Sequence, residues 1–219
     1  MFGFEALLDK IRYRYHHTVV GQMWRLAGEI ILNRPIGAST PPWLPVLAWY
    51  RSRRQSRCPK RYDALIDQFA VEVNPRYRRN AQLRGETYCN IFVWDVTRAM
   101  DAEIPHWVTD GGQSTRAAHG REMNANAVIG WLQSRGPRHG WREVEPHVAQ
   151  AHANRGAPAI VVWRNEPEIG HMAIVRPGDA TEEGLPVSDA GETNHGRTRA
   201  AYVFTKGWQF GELKYFAHD

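Results

Sequence analysis

The stretch Gly85-Glu-Thr-Tyr-Cys-Asn-Ile-Phe-Val-Trp-Asp-Val-Thr-Arg-Ala-Met100 shows how this chain is organised. A glycine-led loop reaches Cys89, and an apolar pattern of helical period begins at once. Ile91, Phe92, Val96 and Met100 fall on one face, with Val93 widening the stripe. The spacing predicts a helix whose first turn carries the Cys89 thiol. Backbone N–H groups without carbonyl partners and the positive end of the helix dipole favour a thiolate there. A free cysteine is equally at home as a small core hydrophobe, so the reading turns on whether the chain supplies a base.

Such a base stands well downstream, in Gly170-His-Met-Ala-Ile-Val-Arg-Pro177, which reads as a strand with an imidazole at its mouth. A nucleophilic cysteine needs a base within hydrogen-bond reach, and the base needs a third group to fix its tautomer. If residues 177–185 are the loop of a hairpin, position 171 faces 191 and 173 faces 189. Asp189 then shares a face with His171 as a diagonal neighbour. A slip of one residue would put it on the other face, which leaves Glu192, Asn194 and His195 as reserves. The first N–H groups of the Cys89 helix are candidate oxyanion donors, and Tyr88 and Asn90 are candidates for a side-chain contact to substrate.

Around this pair the chain changes character twice. Tyr62, Leu65, Ile66 and Phe69 suggest a helix, and Phe69 to Pro75 reads as extended. Asn124 to Leu132 and Pro146 to Asn154 read as further helices, the latter capped by Gly156, with a glycine-rich loop at 110–114 and a short extended piece at Trp141 to Val144. Past Pro158 the period becomes that of strands: Ala159-Ile-Val-Val-Trp163, His171 to Arg176, Val187 to Ala190, Ala200 to Phe204 and Leu213 to Phe216. Helices first and an antiparallel meander after them is an α+β order.

The N-terminal part is different. Phe4, Leu7, Leu8 and Ile11 predict an amphipathic helix over 3–15, and Thr18 to Leu32 a second one, followed by a proline-rich connector over 35–46. Of the net charge of +5, residues 1–86 carry +8 and the remainder −3. Residues 1–61 therefore read as a basic helical extension and 62–219 as the main domain. The cluster Arg51-Ser-Arg-Arg-Gln-Ser-Arg57 would suit an anionic partner. It has no nucleic-acid-binding signature around it, so a solvated surface or docking patch is expected and nucleic acid is not.

Other classes fall away. Two cysteines make no disulfide framework, and both are expected to be free. No run approaches a membrane span. The ten histidines are scattered without the close pairing of a zinc site, and no phosphate-cradling motif is present, so no metal and no cofactor is expected. The N-terminus lacks the order of a secretory signal, which implies synthesis in the cytoplasm and delivery by another route.

Thr87-Tyr-Cys-Asn-Ile-Phe-Val93 followed much later by Gly170-His-Met-Ala-Ile-Val-Arg-Pro177 resembles the papain-like cell-wall amidases, the NlpC-type and CHAP-type cysteine peptidoglycan hydrolases. Ala125-Asn-Ala-Val-Ile-Gly-Trp-Leu132, Gly140-Trp-Arg-Glu-Val144, Ala149-Gln-Ala-His-Ala-Asn154 and Asp189-Ala-Gly-Glu-Thr-Asn194 also look like such domains in phage and secretion-system proteins. The resemblance covers about residues 62–216. It implies a papain-like fold in which N-terminal helices pack on an antiparallel sheet, with Cys89 as nucleophile, His171 as base and Asp189 as the third polar residue. The implied reaction is hydrolysis of amide bonds in peptidoglycan stem peptides. A protein of this kind without a signal would be a phage lysin or an antibacterial effector of a machine such as type VI secretion. It would act in the periplasm of a target cell or on the wall, with an immunity protein or secretion carrier as partner. The rivals are a transglutaminase- or deamidase-type toxin on protein substrates, a non-catalytic binder of anionic polymers, and an interaction module on a decayed enzyme fold.

Overall fold

The structure, a computed structural model, describes Met23 and residues 34–80, 86–117, 119–166 and 168–219. The two helices expected over 3–15 and Thr18 to Leu32 lie outside the described residues, apart from Met23, which is helical. The described chain is α+β, with α1 (Pro59–Asp67), α2 (Cys89–Ala99), β1 (Trp107–Val108), β2 (Arg121–Glu122), α3 (Ala125–Ser134), β3 (Trp141–Val144) and α4 (Pro146–Asn154). There follow β4 (Ala159–Trp163), β5 (His171–Val175), β6 (Pro186–Ala190), β7 (Asn194–Arg199), α5 (Ala200–Val203), α6 (Thr205–Gln209) and β8 (Lys214–His218). No helix among them is long and apolar enough to cross a membrane.

Six strands form one antiparallel sheet in the order β3-β8-β4-β5-β6-β7. The expected meander is therefore corrected at its end: the C-terminal strand returns to lie between β3 and β4, pairing Tyr215 with both Val144 and Val161. Hydrophobic period identifies a strand but not its neighbours, which are set by long-range pairing. Helix α2 packs across β5 and β6 and brings Cys89 to the sheet. Ile91, Phe92, Val93, Val96 and Met100 all join the core, as do Ile160 to Val162 of β4 and Met172 to Val175 of β5.

Two further expectations differ. Ala200 to Phe204 is helical rather than a strand. Two alanines of high helix propensity open it, Phe204 N–H closes an i→i−4 bond to Ala200 at 2.9 Å, and Phe204 turns into the core while Tyr202 stays in solvent. The extended piece from Phe69 to Pro75 is a tight reversal. Ala70 takes a φ of +45°, and the Asn74 amide donates to the Ile36 and Phe69 carbonyls at 2.8 Å each. At the end of α4, Gly156 is left-handed at φ +79° and lies so close to the Cys58 backbone that a Cβ would overlap it.

One side chain, Arg76, gives the proline-rich connector several of its bonds to this domain. Arg76 and Asp95 are fully buried, with Nε donating to Asp95 Oδ2 at 2.7 Å and Nη2 to Oδ1 at 3.1 Å. The remaining guanidinium N–H groups donate to the carbonyls of Thr40, Pro41, Pro42 and Leu44. The Tyr77 hydroxyl donates to Asp95 Oδ2 at 2.7 Å. Burial pulls the guanidinium pKa down, and Asp95 more than offsets it, leaving Arg76 raised above its ordinary value. Asp95→Asn is expected to cost about 3–5 kcal/mol, the penalty of leaving one buried charge unpaired. Replacing both partners by apolar residues (Arg76→Met with Asp95→Leu) should not restore stability, because four connector carbonyls lose their donor at about 1–3 kcal/mol for each buried one. Urea unfolding of the two variants checks both statements.

Candidate active site

Cys89 is the first residue of α2. Tyr88 stands before it at φ −119°, ψ 35°, and the first intrahelical bond is Phe92 N–H to the Tyr88 carbonyl. The N–H groups of Cys89, Asn90 and Ile91 therefore have no partner within the helix. The Cys89 side of the helix faces the sheet, and the residue is 3% exposed. Both cysteines are free thiols, Cys58 exposed and Cys89 buried.

His171 opens β5 opposite Trp163. Its approach is fixed from α3: Asn126 Oδ1 accepts from the Gly170 and Asn165 N–H groups, and its Nδ2 donates to the Asn165 and Glu168 carbonyls. Gly170 is needed there, since a Cβ would lie 2.4 Å from both Asn126 Oδ1 and the Trp163 carbonyl oxygen. The Phe204 ring packs against the imidazole, with centroids 5.2 Å apart. Neither Asn126 nor Phe204 is visible as a site residue in sequence; an asparagine just inside a helix start reads as a cap.

The β5–β6 hairpin pairs Ile174 with Ser188 and Val175 with Val187. Continuing that count sets Ala173 opposite Asp189 and His171 opposite Gly191, the register expected from the loop. Asp189, 2% exposed, reaches diagonally to His171, with Nε2 3.0 Å from Oδ2. A bulge between Val187 and Asp189 shifts β6 against β7, so Asp189 pairs with His195, whose Nδ1 is 2.9 Å from Oδ1. One buried carboxylate is thus held between two imidazoles. Cys89 is the other group that acts on the His171 imidazole.

Burial pulls the His171 pKa down, but neighbouring Cys89 and the hydrogen bond His171 makes to the Asp189 carboxylate outweigh that and raise it to about 10. The side chain keeps 17% of its surface exposed, which is the open side of the site. Gly191 shapes the remaining wall, since a Cβ there would lie 2.7 Å from Asp189 Oδ2 and 3.3 Å from His171 Cε1.

The other candidates go elsewhere. Asn90 Nδ2 donates to the Met123 carbonyl at 2.8 Å and lies 3.5 Å from His106 Nδ1. Tyr88 is half-buried against the core. Glu192 pairs with Arg79 at 2.8 Å. Asn194 donates to the Val71 and Tyr77 carbonyls at 3.0 Å. Among the described residues, no group of three or more His, Cys, Asp or Glu is placed to hold a metal ion.

His171 is expected to stay an imidazolium through neutral pH and to lose its proton as the pH rises towards about 10. Its folded pKa lies above the unfolded value of about 6.5. Its interactions therefore contribute stability in full below that lower value and lose it as the pH climbs to the upper one. Gly191→Ala should push Asp189 off the ring and lower the midpoint without unfolding the domain. An NMR titration of the imidazole carbons, run on wild type and variant, reads both. Compared with known proteins, the chain matches no family model and no curated protein significantly.

Proposed function

We propose that the protein is a cysteine amidase or peptidase on a papain-like scaffold that hydrolyses amide bonds in the stem peptides of peptidoglycan. The observation that carries the chemistry is the line Cys89, His171, Asp189: a thiol at a helix start, an imidazole in contact with it, and a buried carboxylate 3.0 Å behind the imidazole. The resemblance of the segments around Cys89 and His171 to NlpC-type and CHAP-type hydrolases supports the choice of substrate.

In this reading Cys89 Sγ attacks the carbonyl carbon of the scissile amide as a thiolate beside the His171 imidazolium. The carbonyl oxygen becomes an oxyanion next to the unpartnered N–H groups that open α2. His171 gives its proton to the departing amine, the C–N bond breaks, and a thioester to Cys89 remains. The neutral imidazole then takes a proton from water, whose oxygen attacks the thioester. The tetrahedral adduct collapses to a free carboxylic acid, and the sulfur leaves as the thiolate, restoring the ion pair. Asp189 fixes which ring nitrogen faces the thiol and supports the imidazolium. The sum is one amide and one water giving one acid and one amine. Delivery to the periplasm of a target cell as an antibacterial effector, or to the wall as a phage lysin, follows from the same resemblance, as does an immunity protein or carrier as partner.

Purified peptidoglycan incubated with the protein should yield new stem-peptide fragments whose masses differ from the intact material by one added water per cut. Cys89→Ala should yield none. Asp189→Asn should retain the products at a rate lower by about 10²–10⁴-fold, the range of a base held in the wrong tautomer. Mass spectrometry of the soluble fragments decides. Identical fragments from wild type and Cys89→Ala, or none from either, would remove the proposal.

A further inference from the structure

A second concavity, of about 180 Å³, lies along α2 away from the thiol, walled by Trp43, Trp94 and Trp107. Trp94 is its buried floor, while Trp43, 52% exposed, is its open wall. Two of the three indole N–H groups are already used inside the protein. Trp94 Nε1 donates to Glu103 Oε1 at 2.9 Å, and Trp107 Nε1 donates to the Trp43 carbonyl at 3.2 Å. The His106 ring packs against both, tilted to Trp94 and edge-on to Trp107, with centroids 5.1 and 5.4 Å away. Trp94 and Trp107 are therefore held in place and have only ring surface left to offer a ligand.

The polar lining narrows the ligand class. Glu103 Oε1 also accepts from the Ser114 hydroxyl at 3.0 Å, and its Oε2 has no hydrogen bond among the described residues. Arg98 and Arg116 line the same concavity, so two positive charges face one negative. Aromatic walls alone would suit an ammonium ligand, but this charge balance disfavours a cation. What fits is an uncharged ring with a flat apolar face to stack on indole and hydroxyl or amide groups at its edge to meet Glu103 and Arg116. That is the chemistry of a pyranose.

We propose that the Trp43–Trp94–Trp107 cleft is a saccharide site. Trp94 follows Cys89 by five residues, a rise of about 7.5 Å along the same helix and on a different face. A glycan ring seated there lies further along α2 and on another face, so it leaves the approach to the thiol open. Resting on the amidase reading, the sugar is one of the wall polymer's own, and the cleft holds the glycan strand while an attached peptide reaches Cys89.

The test uses the full-length Cys89→Ala protein and a tetramer of N-acetylglucosamine, followed by tryptophan fluorescence and calorimetry. Saturable binding is expected. Trp43→Ala should weaken it by about tenfold or more, and Glu103→Gln should weaken it as well. Tyr202→Ala, an exposed aromatic outside the cleft, should leave it unchanged. Trp43 is largely exposed, so its loss spares the core, and a circular dichroism melt verifies the fold. The proposal is overturned by no saturable change in the Cys89→Ala protein, by equal affinity when Trp43→Ala is added to it, or by binding of tetramethylammonium in preference to the sugar. Because the titration requires no turnover, its failure is distinct from a failure to cut peptidoglycan.

Discussion

A guanidinium and a carboxylate with no exposed surface between them determine where the Cys89 helix lies. The Arg76–Asp95 pair joins three parts of the chain: the connector around 40–44, the turn at Pro75–Tyr77 and the inner face of α2. A proline-rich connector makes few backbone bonds of its own, so its carbonyls need donors from elsewhere. An arginine suits this task better than a lysine, because its planar fork serves the carboxylate on one edge and the carbonyls on the others. Desolvating both charges is costly, and only the full set of acceptors makes the arrangement stable.

The sheet does the complementary work. β5 and β6 lie inside a six-stranded sheet, flanked on both sides, so the hairpin that carries His171 and Asp189 has neighbours to pin its register. β8 threads between β3 and β4 and pairs with both, which extends the sheet beyond β4 on the side away from the site. Asp189 gains from this rigidity. A buried carboxylate with a single partner would be expensive, whereas here each oxygen has its own imidazole.

What the sequence revealed follows from which interactions are local. The start of α2 at Cys89 was legible because a loop, a thiol and a helical stripe are consecutive. The pairing of His171 with Asp189 was legible because a hairpin register follows from its loop. β7 was not: Asn194–Arg199 is a polar, half-exposed edge strand, and alternation of apolar residues, the usual sign of a strand, is absent from it. Ala200 to Phe204 misled for the opposite reason, since its apolar run ends in β-favouring Tyr, Val and Phe, but Phe204 is drawn against His171 by packing that no local pattern encodes. Asn126, more than forty residues from Gly170, is such a long-range contact too, whereas His195 was among the reserves the sequence offered. The connector's dependence on Arg76 was hidden too, because an arginine in a basic stretch reads as surface.

The helix itself links these observations. At 3.6 residues per turn, Cys89, Asp95 and the series Asn90, Trp94, Arg98 fall on different sides of α2. Asp95 is held by Arg76, Cys89 faces the imidazole, and the i, i+4, i+8 series looks towards His106 and the tryptophan cleft. Rotating the helix by a fraction of a turn would move all three at once. The almost complete burial of α2 thus follows from its position: a helix contacted on every side has one rotational setting, and that setting is what a thiol needs if it is to meet an imidazole carried by a separate strand.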